Sequence, residues 1–185
     1  TSLKKVHLPQ SLIRIGDFAF KGCSMLSEIS IPSSVQVIGE NSFYETSTKE
    51  VIFPQSIKEI GHSSFRYLPL RRVVFDSSSC LSILEKNIFD SCQNLVEINI
   101  PSSVTKIGSY SFNMCYSLSN IIIPSSVTMI DDYAFCGCNS LREIVIPPSV
   151  THIGNYVFSQ CEKLEKVAIN SSINKCNIRK SSQVN

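Results

Sequence analysis

No apolar run in this chain approaches the roughly 18 residues that a membrane-spanning helix needs, so no segment reads as a span. No stretch reads as a signal peptide, and Thr1 falls inside a repeat, which is the expectation for a piece of a longer repeat protein. Basic and acidic residues number 17 and 15, are interspersed, and leave a net charge of +2. The basic stripe of a nucleic-acid reader is missing, so no nucleic-acid partner is expected. No Gly/Ser/Pro-rich linker breaks the chain, which points to one elongated domain. There is no carboxylate pair, nucleophile elbow or glycine-rich phosphate loop. His7, His62 and His152 sit in different repeats and at different places within them. Asp131 and Asp132 form an acidic turn, too little for a calcium site. The chain therefore reads as non-enzymatic, with no cofactor and no metal.

What is present is a period. Pro9, Pro32, Pro54, Pro101, Pro124 and Pro147, with Asp76 in the fourth slot, lie 23, 22, 22, 25, 23 and 23 residues apart. Each is followed by a phenylalanine, namely Phe20, Phe43, Phe65, Phe89, Phe112, Phe135 and Phe158. A period in the twenties means one supersecondary unit stacked on copies of itself, a solenoid. The apolar content of 43% is enough for a continuous core. One unit leaves both flanks wet, so single repeats cannot fold and the array can.

The best-kept unit runs through Leu118, Ile121, Ile123, Pro124, Ser126, Val127, Ile130, Ala134, Phe135 and Cys138. In Ile121–Ile123 the outer two side chains point inward and Ile122 outward, the alternation of a short strand. The proline ends that strand because it lacks an N–H for the ladder. Gly16, Gly39, Gly61, Gly108 and Gly154 recur where the chain must turn, and are read as positions of positive φ. The pattern fades after Ile173, so the domain is placed at residues 1–170, and residues 171–185 read either as a cap or as a disordered tail.

Cys23, Cys92, Cys115, Cys138 and Cys161 each fall three residues after a repeat phenylalanine. In that register they read as small apolar ladder residues rather than disulfides, because equivalent Cβ vectors run parallel. Cys80, Cys136 and Cys176 lie off the ladder and are the expected reactive thiols.

The runs IPSSVTKIGSYSF and IPSSVTMIDDYAFCGCNSL resemble the BspA-like leucine-rich repeats, over residues 3 to about 170. The resemblance implies a right-handed leucine-rich repeat solenoid with a parallel sheet on its concave face and short turns or second short strands on the convex side. It also implies display at a cell surface and adhesion to host, matrix or microbial surface proteins. Two units depart from the pattern. Residues 43–53 carry Thr46 for cysteine and place Thr48 in the leucine slot. Residues 76–100 carry Asp76 for proline, Glu85 for glycine and two extra residues.

Two columns should face outward from the strands. Lys5, Glu28, Glu50, Arg72, Glu97, Asn120, Glu143 and Lys166 alternate in sign, as cross-strand charge pairs do. The neighbouring column is His7, Ser30, Ile52, Val74, Asn99, Ile122, Val145 and Ala168. Its valines and isoleucines reflect either β-propensity or an apolar interaction patch. The candidate ligand-binding residues are His7, Ile52, Arg72, Val74, Asn99, Ile122 and Val145. The leading reading is an adhesion module that takes a protein ligand on the concave sheet. An intracellular scaffold and a structural spacer are the alternatives.

Overall fold

The computed structural model describes residues 2–169; the expected cap or tail at 171–185, and Cys176, lie outside the described residues. The chain winds as a parallel β-solenoid of about seven turns, and among the described residues no helix forms. Every rung but the sixth contributes a strand before the proline slot. These are β1 (Lys5–Val6), β3 (Glu28–Ile29), β5 (Glu50–Phe53), β7 (Arg72–Phe75), β9 (Glu97–Ile98), β12 (Glu143–Ile146) and β14 (Lys166–Ile169). After the proline comes a second, two-residue strand. These are β2 (Arg14–Ile15), β4 (Val37–Ile38), β6 (Glu59–Ile60), β8 (Ile83–Leu84), β10 (Lys106–Ile107), β11 (Met129–Ile130) and β13 (His152–Ile153).

The first set pairs as β1-β3, β5-β7-β9 and β12-β14 and forms what is called here the strand face. The second set pairs as β2-β4-β6 and β8-β10-β11-β13. One expectation fails. Residues 121–123 do not form a strand, although Ile121 and Ile123 are buried and Ile122 is exposed as the alternation requires. Among the described residues, no backbone hydrogen bond joins residues 119–123 to the rungs on either side.

A third ladder runs through the phenylalanine turns. The N–H groups of Phe18, Phe20 and Gly22 donate to the carbonyls of Glu40, Ser42 and Tyr44 one rung on. The same trio recurs at each junction, ending with Tyr133, Phe135 and Gly137 donating to Asn155, Val157 and Ser159. Bonds such as Thr46 N–H to Phe43 O close turns within the rung. This arrangement holds the backbone left-handed two residues before and two after each phenylalanine, for example Tyr110 (φ 59) and Met114 (φ 55). Each non-glycine residue held there carries a cost of about 1–2 kcal/mol, which the ladder must outweigh.

The glycine expectation is thereby corrected. Gly16, Gly39, Gly61, Gly108 and Gly154 do not have positive φ; only Gly22 and Gly137 do. Close stacking is what requires most of them. A Cβ at Gly61 would lie 2.6 Å from Glu40 N, and one at Gly108 would lie 2.8 Å from Leu84 O. At Gly16, in the first rung, nothing lies within 4 Å.

The core is a column of phenylalanine rings. Phe43 stacks on Phe20 and on Phe65 at 5.2 Å each, and Phe112 on Phe135 at 5.3 Å. The widest step, 6.0 Å with a 32° tilt, separates Phe65 from Phe89, across the rung that carries the two extra residues. Thr48 fills the leucine slot as expected; both it and Thr46 are buried, and its hydroxyl donates to Leu26 O. The repeated serine after the proline also acquires a reason. Ser34, Ser56, Ser103, Ser126 and Ser149 each donate from Oγ to a carbonyl of the preceding rung, as Ser126 does to Val104 O at 2.6 Å.

The ladder cysteines hang inside this column. Cys92, Cys115, Cys138 and Cys161 donate from Sγ to the carbonyls of Phe65, Phe89, Phe112 and Phe135. Burial is the main cause that pushes their thiols up, to about 12 for Cys92 and about 11 for Cys161. The expectation that Cys136 is reactive is corrected: it is buried, and burial raises its thiol as well. Cys80 is exposed.

Candidate functional site

Strand pairing fixes which outward side chains are neighbours. The register sets Lys5 against Glu28, Glu50 against Arg72, Arg72 against Glu97 and Glu143 against Lys166. The charges meet as the sequence column proposes. Lys5 Nζ lies 2.9 Å from Glu28, and Lys166 Nζ lies 3.9 Å from Glu143. Arg72 bridges Glu50 at 3.1 Å and Glu97 at 3.4 Å. The hydrogen bond from Lys5, and then its charge, hold the Glu28 carboxyl below its ordinary range. These pairs are solvent-exposed and contribute little to stability; they fix register and place fixed charge along the face.

The neighbouring column is mixed. Ile52, Ile122 and Val145 are 60, 76 and 56% exposed, and Val74 is half-buried between its neighbours. Ile122 and Val145 occupy successive rungs, and exposed Val96 sits one rung before them at the strand entrance. Asn99 does not point to a ligand. Its amide accepts from Phe75 N–H and donates to Phe75 O, both at 2.9 Å, and closes β7 where β9 stops short.

The candidate residues therefore separate into two groups. His7 and Ile52 line a groove of about 960 Å³ over the first three rungs, together with Lys5, Glu28, Lys49 and Glu50. Ile122 and Val145 form an apolar patch toward the other end. Arg72 and Asn99 lie between, engaged with the protein itself. Sequence reading missed Lys49 and Val96 because it followed only the strict alternation, and these residues stand one place before the strand. It also missed a stack of tyrosines on the turn face, Tyr110, Tyr133 and Tyr156, with ring centroids 4.8 and 5.0 Å apart. The signal was legible, since each lies two residues before a repeat phenylalanine. Among the described residues no cluster of histidine, cysteine, aspartate or glutamate is placed to hold a metal ion.

The BspA type leucine rich repeat region matches this chain in six copies, over residues 1–80 and 72–181. No curated protein sequence matches the chain. Among solved structures, the T. pallidum leucine rich repeat protein TpLRR is similar at 32% identity with a TM-score of 0.77, covering 87% of this chain and 78% of that one. A leucine-rich repeat protein from Bacteroides ovatus is similar at 30% identity with a TM-score of 0.70, covering 89% of this chain. This chain spans about half of that protein, 48% of its length. The pneumococcal vaccine antigen PcpA shares the fold at 23% identity and a TM-score of 0.59, covering 94% of this chain and 52% of that one.

Proposed function

Because the chain belongs to the BspA-type leucine-rich repeat proteins, whose repeats build a scaffold, we propose that residues 1–170 are one non-enzymatic binding domain displayed at a cell surface. Its ligand is a host, matrix or microbial surface protein, taken on the strand face through His7, Ile52, Arg72, Val74, Ile122 and Val145, with Asn99 as the structural tie within that surface. The observation that supports this reading is the exposure of Ile52 and Val145 on the strand face, and of Ile122 in its gap at rung six, with no second layer of the described chain over them. Apolar side chains held in register on a rigid face favour contact with another protein. The family supports the surface-display part of this reading, and the exposed patch supports the adhesion part.

The test is binding of the fluorescently labelled chain to matrix-coated surfaces and to intact cells. Ile122→Asp with Val145→Asp is expected to remove binding while the circular-dichroism spectrum and Tm stay near those of the unaltered chain. Retained binding with both charges in place rejects the strand face as the site.

A further inference from the structure

The groove over the first three rungs has a charge imbalance that the ion-paired column conceals. Glu28 is engaged by Lys5, and Glu50 by Arg72, which also holds Glu97. One residue earlier in each of these rungs, where the chain enters the strand, stand Lys4, Ser27, Lys49 and Arg71, all exposed. Backbone bonds keep them in register: Ser27 N–H donates to Lys4 O, and Arg71 N–H donates to Lys49 O. Among the described residues, Lys4, Lys49 and Arg71 have no ion-pair partner. The equivalent positions toward the other end are Val96, Ser119 and Arg142, and Arg142 is paired with Glu165 at 3.7 Å. Within this entrance row the cations without partners are thus confined to the half that holds the groove, and Lys49 lines it.

The lining beside them includes Ile52 and Pro54, with Val6, Leu8 and Ile29 partly exposed. Apolar lining beside a one-sided row of cations matches a ligand that is itself apolar and acidic. Rungs repeat at about 4.8 Å, so Lys49 and Arg71, one rung apart, offer two neighbouring positive charges to the carboxylates of an extended chain. We infer that this groove binds an extended acidic peptide segment of the protein ligand, with its carboxylates on Lys49, Arg71 and Lys4 and its apolar side chains against Ile52. A sulfated glycan would satisfy the cations but leave the apolar lining wet, so the polypeptide is the occupant the groove favours. This inference rests on the strand-face reading above.

The experiment uses the whole chain with three probes: a labelled peptide alternating glutamate with valine, its lysine–valine counterpart, and a heparin-derived oligosaccharide. The glutamate peptide is expected to bind, with affinity falling about tenfold or more as salt rises from low to physiological strength. The lysine peptide is expected not to bind. Lys49→Glu with Arg71→Glu should weaken the glutamate peptide by about tenfold or more, whereas Lys58→Glu, one residue before β6 of the second sheet, should leave it unchanged. Equal binding of both peptides, or no loss in the charge-reversed variant, overturns the inference. Oligosaccharide binding without peptide binding overturns it in favour of a glycan. Binding to coated surfaces that survives Lys49→Glu with Arg71→Glu but is lost in Ile122→Asp with Val145→Asp keeps the strand-face reading and discards the acidic groove.

Discussion

Rungs three to five and rung six carry nearly the same strand motif, yet only the former form a sheet. Val51, Val73 and their partners lie in β5-β7-β9, and their inward side chains are almost fully buried. Residues 120–123 hold Ile121, Ile122 and Ile123, the cleanest version of the motif, and pair with nothing on either side. Their inward isoleucines, with Ile98 and Ile100 of the rung before, remain 5–9% exposed, against 0–2% for Val51, Phe53, Val73 and Phe75. A strand is a property of two segments rather than one. β9 ends at Ile98, Asn99 turns its amide to Phe75, and rung six is left without a neighbour to bond. The breaks are also staggered. The second sheet opens between β6 and β8, where β5 and β7 remain paired. The strand face opens between β3 and β5 and around rung six, where β4-β6 and β10-β11-β13 continue. At each of these openings the turn ladder persists.

The most damaging way to probe that comparison is to remove what both regions share. Phe112→Ala deletes a ring stacked between Phe89 and Phe135 and is expected to cost about 3–5 kcal/mol by chemical denaturation. A loss no larger than that of Lys58→Ala would show that the rings are not the common core.

Alkali should attack the same column. Below their ordinary value of 9.0 the thiols are neutral in both folded and unfolded chains. Above it the unfolded chain ionises while Cys161 and Cys92 resist until about 11 and 12, so stability is lost progressively across that window. Urea titrations at rising pH should show the fall, and Cys92→Ala with Cys161→Ala should lessen it, the part due to buried Cys115 and Cys138 remaining. In native protein near neutral pH, Cys80 should be alkylated before any ladder cysteine.

Backbone spacing gives a smaller effect. Gly108→Ala is expected to cost about 1–3 kcal/mol because its Cβ meets Leu84 O and Lys86 N. Gly16→Ala, with open space around it, should stabilise by about 0.4–1 kcal/mol. Equal effects on Tm would contradict close stacking as the reason for these glycines.

The most selective change is Asn99→Val. Loss of two side-chain bonds should cost about 1–2 kcal/mol. Freed from the amide, β9 should lengthen and offer rung six a partner. Amide hydrogen exchange at Ile121–Ile123, fast in the unaltered chain relative to Val51–Phe53, is then expected to slow. Exchange that stays fast would place the cause of the gap elsewhere, in the two extra residues of rung four.

The ladder positions were legible because they depend on period alone: the phenylalanine column, the cysteine slots, Thr48 in place of leucine, and the charge pairs from Lys5–Glu28 to Glu143–Lys166. What stayed hidden depends on the distance between rungs. Glycine at positions 61 and 108 answers to a neighbour's backbone, not to its own φ, and no single repeat displays that neighbour. The left-handed residues include Tyr110, Met114 and Tyr156, types that ordinarily avoid such geometry, so at those positions residue type gave no warning. Of the candidate site, the exposed isoleucines were predictable from alternation. The engagement of Asn99 and the solitary position of Lys49 required the partners to be in place.

The turn ladder has one further consequence. Its inter-rung bonds all run in one sense, from an earlier N–H to a later carbonyl, as in Phe43 to Ser64 and Phe135 to Val157. Each aligned peptide carries a dipole of about 3.5 D, and successive rungs add rather than cancel. In a paired sheet, N–H groups point alternately to both sides and their sum is small. One edge of the molecule is therefore polarised lengthwise, with carbonyls directed toward the first rung and N–H groups toward the last. Charged groups approaching the two ends along that edge meet fields of opposite sign, negative near Asp17 and positive near Asn155, with no ionised side chain required to produce the difference.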